Sequence, residues 1–208
     1  MADRDGTLRT PRLILRGWRD EDLAQFARIN ADPEVMRHFP GPLDRASSDA
    51  AAMRIRDHFQ RHGFGMWAVE TMSGESFIGF VGLSHVDFEA HFTPAVEIGW
   101  RLARASWGQG YASEAAERAL DFAFSEGRMT EIFSFTALSN KRSAAVMKRI
   151  GMSLHSESQF THPKLPHGHR LAPHWLYRIK KETWQGLREQ QGRSLKSPDR
   201  RPVQRSSR

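Results

Sequence analysis

The sequence predicts an α+β fold: a mixed, mainly antiparallel sheet flanked by about four helices. Three observations lead there. Two strand-like runs, "FGMWAVE" (64–70) and "FIGFVGLS" (77–84), are joined through Ser73-Gly74, the composition of a hairpin turn. In "PAVEIGWRLA" the residues alternate, Val96, Ile98, Trp100 and Leu102 on one face and Glu97 and Arg101 on the other. Only one strand–helix–strand unit follows, so a single parallel pair with a right-handed crossover is required.

The elements follow in order. "RLILR" (12–16) reads as a strand, and the helix after it takes Asp20 as cap and ends near Pro33, which forces the residue before it out of helical geometry. A second helix lies within 41–63, with Asp44 or Ser47 as cap and Gly63 as stop. After the hairpin and the alternating strand comes a helix to about Glu126, stopped by Gly127. Its apolar set Ala112, Ala115, Ala116, Ala119, Leu120 and Ala123 recurs at helical spacing. A strand (130–138) precedes a short helix capped by Ser139 or Asn140 and stopped by Gly151. A His- and Pro-rich loop leads to a last strand, "HWLYRIK" (174–180).

At 208 residues, with 39% hydrophobic and 26% charged content, the chain fits one well-cored domain, expected over residues 1–185. No apolar run reaches the ~18 residues that cross a bilayer, and the first residues have no secretory h-region, so a cytoplasmic protein without a membrane partner is expected. The absence of cysteine excludes disulfides, thiolate metal sites and a cysteine acyl-enzyme. Residues 186–208 carry seven basic and two acidic side chains, a net +5 of the chain's +7. The charge is therefore concentrated in a polar segment with the composition of a disordered, solubilising tail, and nucleic acid is not an expected partner.

The stretch "ASWGQGYASEA" (105–115) places two glycines at a strand-to-helix turn, where backbone N–H groups can approach a ligand and the helix start favours negative charge. It is neither a Walker loop, since Tyr111-Ala112 follows Gly110, nor a dinucleotide fingerprint, since Ser113 stands where the third glycine belongs. On spacing alone, a tight turn packing an alanine-rich helix competes with a phosphate cradle.

Taken together, "VEIGWRL", "SWGQGYASEA" and "IFSFTALSNKRSAAVMKRIGM" resemble the GNAT superfamily of N-acetyltransferases, and within it the branch of ribosomal-protein N-terminal-alanine acetyltransferases (RimJ/RimL-like). The resemblance covers about 8–180, beginning at "LRTPRLILRGWRDEDL". It implies a splay between the two parallel strands and acetyl-coenzyme A as acyl donor. Trp107, Gly108, Gln109, Gly110, Tyr111, Ala112 and Ser113 would cradle its pyrophosphate. The main chain of Trp100, Arg101 and Leu102 would pair with the pantetheine arm, which Asn140 would also contact. Trp107 replaces the Gln or Arg that often opens the motif, leaving the backbone donors intact.

Attack of an amine on a thioester needs a proton acceptor, an oxyanion donor and a proton for the leaving thiolate. Glu97 is the expected base, directly or through water, with pairing to Arg101 as the competing role; Asp87 and Glu89 are reserves. The oxyanion donor is expected to be an N–H freed where 99–101 bulges and departs from its neighbour. The tyrosine many members use as acid is Met147 here, and the resemblance transfers that role to Ser143, whose alternative is to satisfy the helix end beside Asn140. Of His162, His167, His169 and His174, no pair has i,i+4 spacing, and no metal is expected. Phe160, His162 and His169 match a stretch seen in the branch and are expected to wall the acceptor, with Phe39 and Trp67 either adding apolar surface or lying in the core. These features imply direct transfer to a primary amine, on a protein amino terminus or a small molecule, by a monomer or homodimer. The alternative is a coenzyme A-binding or ribosome-associated protein without turnover.

Overall fold

The structure is a computed structural model that describes residue 3 and residues 6–74 and 77–196. Eight strands form one sheet: β1 Leu8–Arg9, β2 Leu13–Arg16, β3 Met66–Thr71, β4 Gly79–His85, β5 Val96–Leu102, β6 Glu131–Ala137, β7 Ser153–Thr161 and β8 Pro173–Lys180. Their spatial order is β1-β2-β3-β4-β5-β6-β8-β7, and every neighbouring pair is antiparallel except β5 and β6. Among the described residues there are five α-helices: α1 Asp22–Ala31, α2 Arg45–His62, α3 Tyr111–Ser125, α4 Lys141–Arg149 and α5 Lys181–Lys196.

The alternation of β5 sorts the core into two sides. Ile98 and Leu102 join Trp67, Val81 and Leu83 against the alanine face of α3, with Ala115, Ala116, Ala119 and Ala123 fully buried. Small side chains let that helix lie close to the sheet. On the other side α1 and α2 cover Ala68 and Phe77, while Phe92, Phe133 and Leu176 form a separate aromatic cluster. Glu97 and Arg101 point to this second side.

Local chemistry sets the helix ends. Asp44 caps α2 by accepting from the Ser47 N–H at 2.7 Å, and Gly63 ends it at φ 72°. Asn140 caps α4 through the Ser143 N–H. Asp20 does not cap α1: it is drawn outward to Arg56 at 2.8 Å, and the buried Asp22 instead accepts from the Arg19 N–H and from both terminal nitrogens of Arg16. Gly127 is not the left-handed residue after α3. Arg128 takes that conformation at φ 52°, and a Cβ on Gly127 would lie a tight 3.1 Å from the Ala123 carbonyl.

The carboxyl-terminal reading is corrected. Helix α5 crosses the boundary expected at 185/186, so 186–196 is helical, while 197–208 lies outside the described residues. The physical reason is amphipathicity hidden among polar residues. Trp184 is 4% exposed and Leu187 packs against the α3-side core, while Arg188 binds Asp121 and Glu117 of α3. Trp184 also donates to Asp121 at 3.0 Å. Replacing Trp184 with Ala should therefore cost about 3–5 kcal/mol, the usual range for a buried tryptophan, read as a lower urea midpoint with an unchanged slope.

Candidate active site

Strands β5 and β6 share one ladder pair, Glu97 with Phe133, reinforced where the Ser134 hydroxyl donates to the Ile98 carbonyl at 2.9 Å. Beyond it the two strands separate. In an antiparallel ladder alternate residues turn N–H and C=O the same way. Leu83 donates to Gly65 on the far side of β4, so its partner Ile98, and with it Trp100 and Leu102, turn their backbone groups toward β6 and the gap. The Leu102 carbonyl is taken by the Trp107 indole at 2.9 Å. Trp100 thus presents its N–H and C=O to an open edge, whereas the Arg101 main chain faces β4. The register of β4 against β5 is unbroken from Gly79↔Leu102 to His85↔Val96, so the expected bulge at 99–101 is absent. The strand departs only from β6, and the freed N–H in that stretch is that of Trp100.

The gap runs down to the glycine loop. Gly108 and Gly110 adopt φ 78° and 81°, and a Cβ on Gly108 would meet nothing within 4 Å. Gly110 is the N-cap of α3 and provides no side-chain cap, so the first N–H groups of the helix, at Tyr111, Ala112 and Ser113, lack an intrahelical partner. Arg12 holds the loop from outside. It donates to the Gln109 carbonyl at 3.0 Å, pairs with Glu114 of α3 and stacks on Tyr111 at 4.8 Å. The Ser113 hydroxyl is bound by Arg149 of α4, and Arg142 stands 4.7 Å over Trp107. A helix start with no side-chain cap, preceded by two left-handed glycines and flanked by Arg12, Arg142 and Arg149, suits a diphosphate. The motif signalled the loop, but Arg12 and Arg142 carried no signal because their partners are remote in sequence.

Glu97 lies at the apex of the gap, partly buried on the second side of the sheet. Burial, then the nearby Asp87 carboxylate, pushes its carboxyl up to about 7, with Lys164 opposing. No bond between Glu97 and Arg101 is present. Arg101 instead donates to Asn30 at 2.7 Å and stacks on Phe39 at 4.1 Å, and its burial lowers the guanidinium to about 10. Asp87 is paired with Lys164.

Asn140 donates to Thr136 at 2.9 Å and to the Ser143 hydroxyl oxygen at 3.1 Å, which leaves the Ser143 proton free to point elsewhere. Ser143 therefore both sits in the capping turn and retains a hydroxyl proton. Met147 is 1% exposed in the core and takes no part.

Around Glu97 the second side carries an aromatic wall. Phe160 and His162 contact Phe88, Phe135 and His174, with His162 4.7 Å from Phe88 and 4.9 Å from His174. Burial, then His174 and Lys164, lowers His162 to about 4, so both it and the likewise lowered His174 are neutral at pH 7. Trp67 takes the core role of its two alternatives, and His174 stands in the wall where His169 was expected. Trp67 is 1% exposed against Phe59 and Phe122 on the α3 side, opposite Glu97, and is core. His169 turns its ring back onto the Leu171 N–H, and His174 occupies the wall in its place. Phe88, Phe92 and Phe135 complete the wall but read in sequence as ordinary strand and loop aromatics.

Comparison with known proteins agrees with this geometry. A family model described as acetyltransferase (GNAT) domain matches residues 12–153. The FsC-acetyl coenzyme A-N(2)-transacetylase of Aspergillus fumigatus is 30% identical over 187 residues, 86% of this chain and 77% of that protein. An acetyltransferase from Agrobacterium tumefaciens superposes with a TM-score of 0.69 at 28% identity, over 86% of this chain and 96% of its own. RimJ of Mycobacterium smegmatis, in complex with CoA-disulfide, shares the fold at 23% identity with a TM-score of 0.65, over 89% and 93% of the two chains. The open strand edge, the uncapped helix start and these likenesses agree: the chain belongs to the GNAT family of acetyltransferases.

Proposed function

We propose that this acetyltransferase moves an acetyl group from acetyl-coenzyme A to a primary amine by direct attack within a ternary complex. The observation that carries the reading is the gap between β5 and β6, which connects an anion cradle at one end with Glu97 at the other. Five steps of strand separate Leu102 from Glu97, about 17 Å at strand rise. An extended pantetheine arm can lie along this edge as an added strand, its amides meeting the Trp100 main chain, while the diphosphate sits on the N–H groups of 108–113.

At the apex, Glu97 accepts the proton of the incoming ammonium group, directly or through a water. A carboxylate titrating near 7 is better matched to that proton than an ordinary one. The amine nitrogen then forms its bond to the thioester carbonyl as the Trp100 N–H supports the oxyanion. When the carbon–sulfur bond breaks, Ser143, held by Asn140, passes a proton to the thiolate and regains one, through solvent, as the new amide nitrogen gives up its second proton. With no cysteine in the chain, a thiol-bound acyl intermediate on the protein is excluded.

The acceptor enters from the aromatic side, between Phe39 and the Phe160–His162 wall. Neutral imidazoles and rings line this side, while Lys164 is paired with Asp87 and Arg101 is held by Asn30 and Phe39, an arrangement that suits an amine beside Glu97. A protein amino terminus, as in the ribosomal-protein branch that the motifs resemble, and a small-molecule amine are both acceptors of this kind; the name of the Aspergillus relative, an N(2)-transacetylase, likewise states transfer to nitrogen for that enzyme. A panel of N-terminal peptides and small amines, followed by release of free thiol from acetyl-coenzyme A, tests the proposal. Thiol release on none of them would overturn it.

Glu97→Gln should lower kcat/KM by about 10²–10⁴-fold and remove an acid limb centred near pH 7, because the base works only when ionised. The same raised carboxyl means the folded chain binds this proton more tightly than the unfolded one. Stability is therefore lost as pH rises toward and through 7, and Glu97→Gln should raise Tm at pH 8 more than at pH 5.

Gly108→Ala should raise the Kd for acetyl-coenzyme A at least about tenfold, since its Cβ occupies the open face of the cradle at a left-handed strain of ~1–2 kcal/mol. Gly63→Ala, at a similar φ of 72° with open space around it, is the matched control and should leave Kd unchanged by calorimetry.

A further inference from the structure

The last turn of α2 carries His58 and His62, four residues apart and hence on one helix face. The chain that leaves this helix returns through the hairpin so that His85, the last residue of β4, stands beside them. The ring centroids are 4.5 Å apart for His58 and His62, 4.6 Å for His62 and His85, and 5.7 Å for His58 and His85. One ring nitrogen from each lies within 4.8 Å of the other two. We infer that His58, His62 and His85 form a binding site for a divalent transition metal of the zinc class.

Each part of the cluster fits that role. Three imidazole donors without a thiolate select zinc, nickel, cobalt or copper over magnesium and calcium, which require oxygen. The His58 ring is oriented by its Nδ1 bond to the Phe64 carbonyl at 2.9 Å. A backbone carbonyl on the far nitrogen is the usual device that fixes the tautomer of a metal-binding histidine and leaves the other nitrogen as ligand. That Nε2 now accepts the His85 N–H at a long 3.2 Å, a contact a metal would displace. Tetrahedral zinc with bonds of ~2.0–2.1 Å needs its nitrogens about 3.4 Å apart. His62 and His85 are both exposed and can close the remaining distance by rotating their side chains. The fourth position opens to solvent, where water can complete the set.

The site lies outside the groove assigned to the reaction. It would tie the end of α2 to the end of β4, one ladder step from the Ser84↔Glu97 pair. The expectation of no metal came from the 162–174 loop, which lacks helical spacing. The spacing occurs instead in α2, and the third ligand is contributed 23 residues later by the fold.

The test uses untagged protein and zinc sulfate alone, titrated by calorimetry and by competition with a chromophoric zinc indicator. One equivalent should bind at micromolar Kd or tighter, and His62→Ala and His85→Ala should each weaken it at least about tenfold. His167→Ala, in the loop, should leave Kd unchanged, and magnesium should not bind. Zinc should raise the Tm of the wild-type chain but not that of the His62→Ala/His85→Ala double variant. Both substitutions are at exposed positions, and the double variant's Tm without zinc verifies its folding. Binding that is absent in the wild type, or unaltered in the double variant, overturns the proposal.

Discussion

One missing strand contact organises this molecule. Inside the sheet, from β2 to β8, the ladders are continuous apart from one interface: between β5 and β6 there is a single pair. Unpaired N–H and C=O groups within a sheet are costly unless water or a ligand meets them. They persist here because both strands are anchored elsewhere: β5 along its full length to β4, and β6 along its full length to β8. The open edge is thus held by two closed ones, and a ligand with amides in an extended arm can use what the sheet leaves unpaired.

The lower end of the gap depends on the same division of labour. Helix α3 is seated by four fully buried alanines on the sheet, so its start is fixed in height over the end of β5. Because that start has no side-chain cap, its N–H groups remain available, and the turn before it is held by groups other than the donors themselves: the Arg12–Glu114 clamp and the Trp107 indole on Leu102. Helix α5, through Trp184 and Arg188 on Asp121, braces α3 from outside. A substitution in α5 consequently acts on the start of α3 from a distance, through Asp121.

What was legible in the sequence is what short-range chemistry dictates. The Asp44 and Asn140 caps, the stop at Gly63, the alternation of β5 and the glycine turn each depend on a few adjacent residues, and each is found where the pattern puts it. What was missed or left open involves partners distant along the chain. Asp20 loses its cap to a pull from Arg56, 36 residues away. Trp67 is core because β3 turns it toward Phe122, a fact set by register. Strand β7 has no alternating pattern, since most of its side chains are exposed at the sheet edge, and so carries no strand signal in sequence. Helix α5 was hidden by a polar composition in which one tryptophan and one leucine supply the buried contacts. The separation of β5 from β6 came only from family resemblance; no local property of either strand encodes it.

The position of Glu97 joins these threads. A carboxylate at the apex of an unzipped pair has the sheet on one side and an aromatic wall on another, so it loses hydration that Lys164 only partly replaces. That loss weakens the fold and raises the proton affinity of the proposed base, two results of one desolvation. Moving Glu97 one residue along β5 would turn it into the α3 core, where no amine could reach it. Pairing it with Arg101 would return the carboxyl toward its ordinary range and remove its match to the ammonium proton. The structure avoids the second outcome by engaging Arg101 with Asn30 and Phe39. Those two contacts therefore bear on the proposed reaction without touching it: they hold the strand's one cation away from the carboxylate proposed as its base.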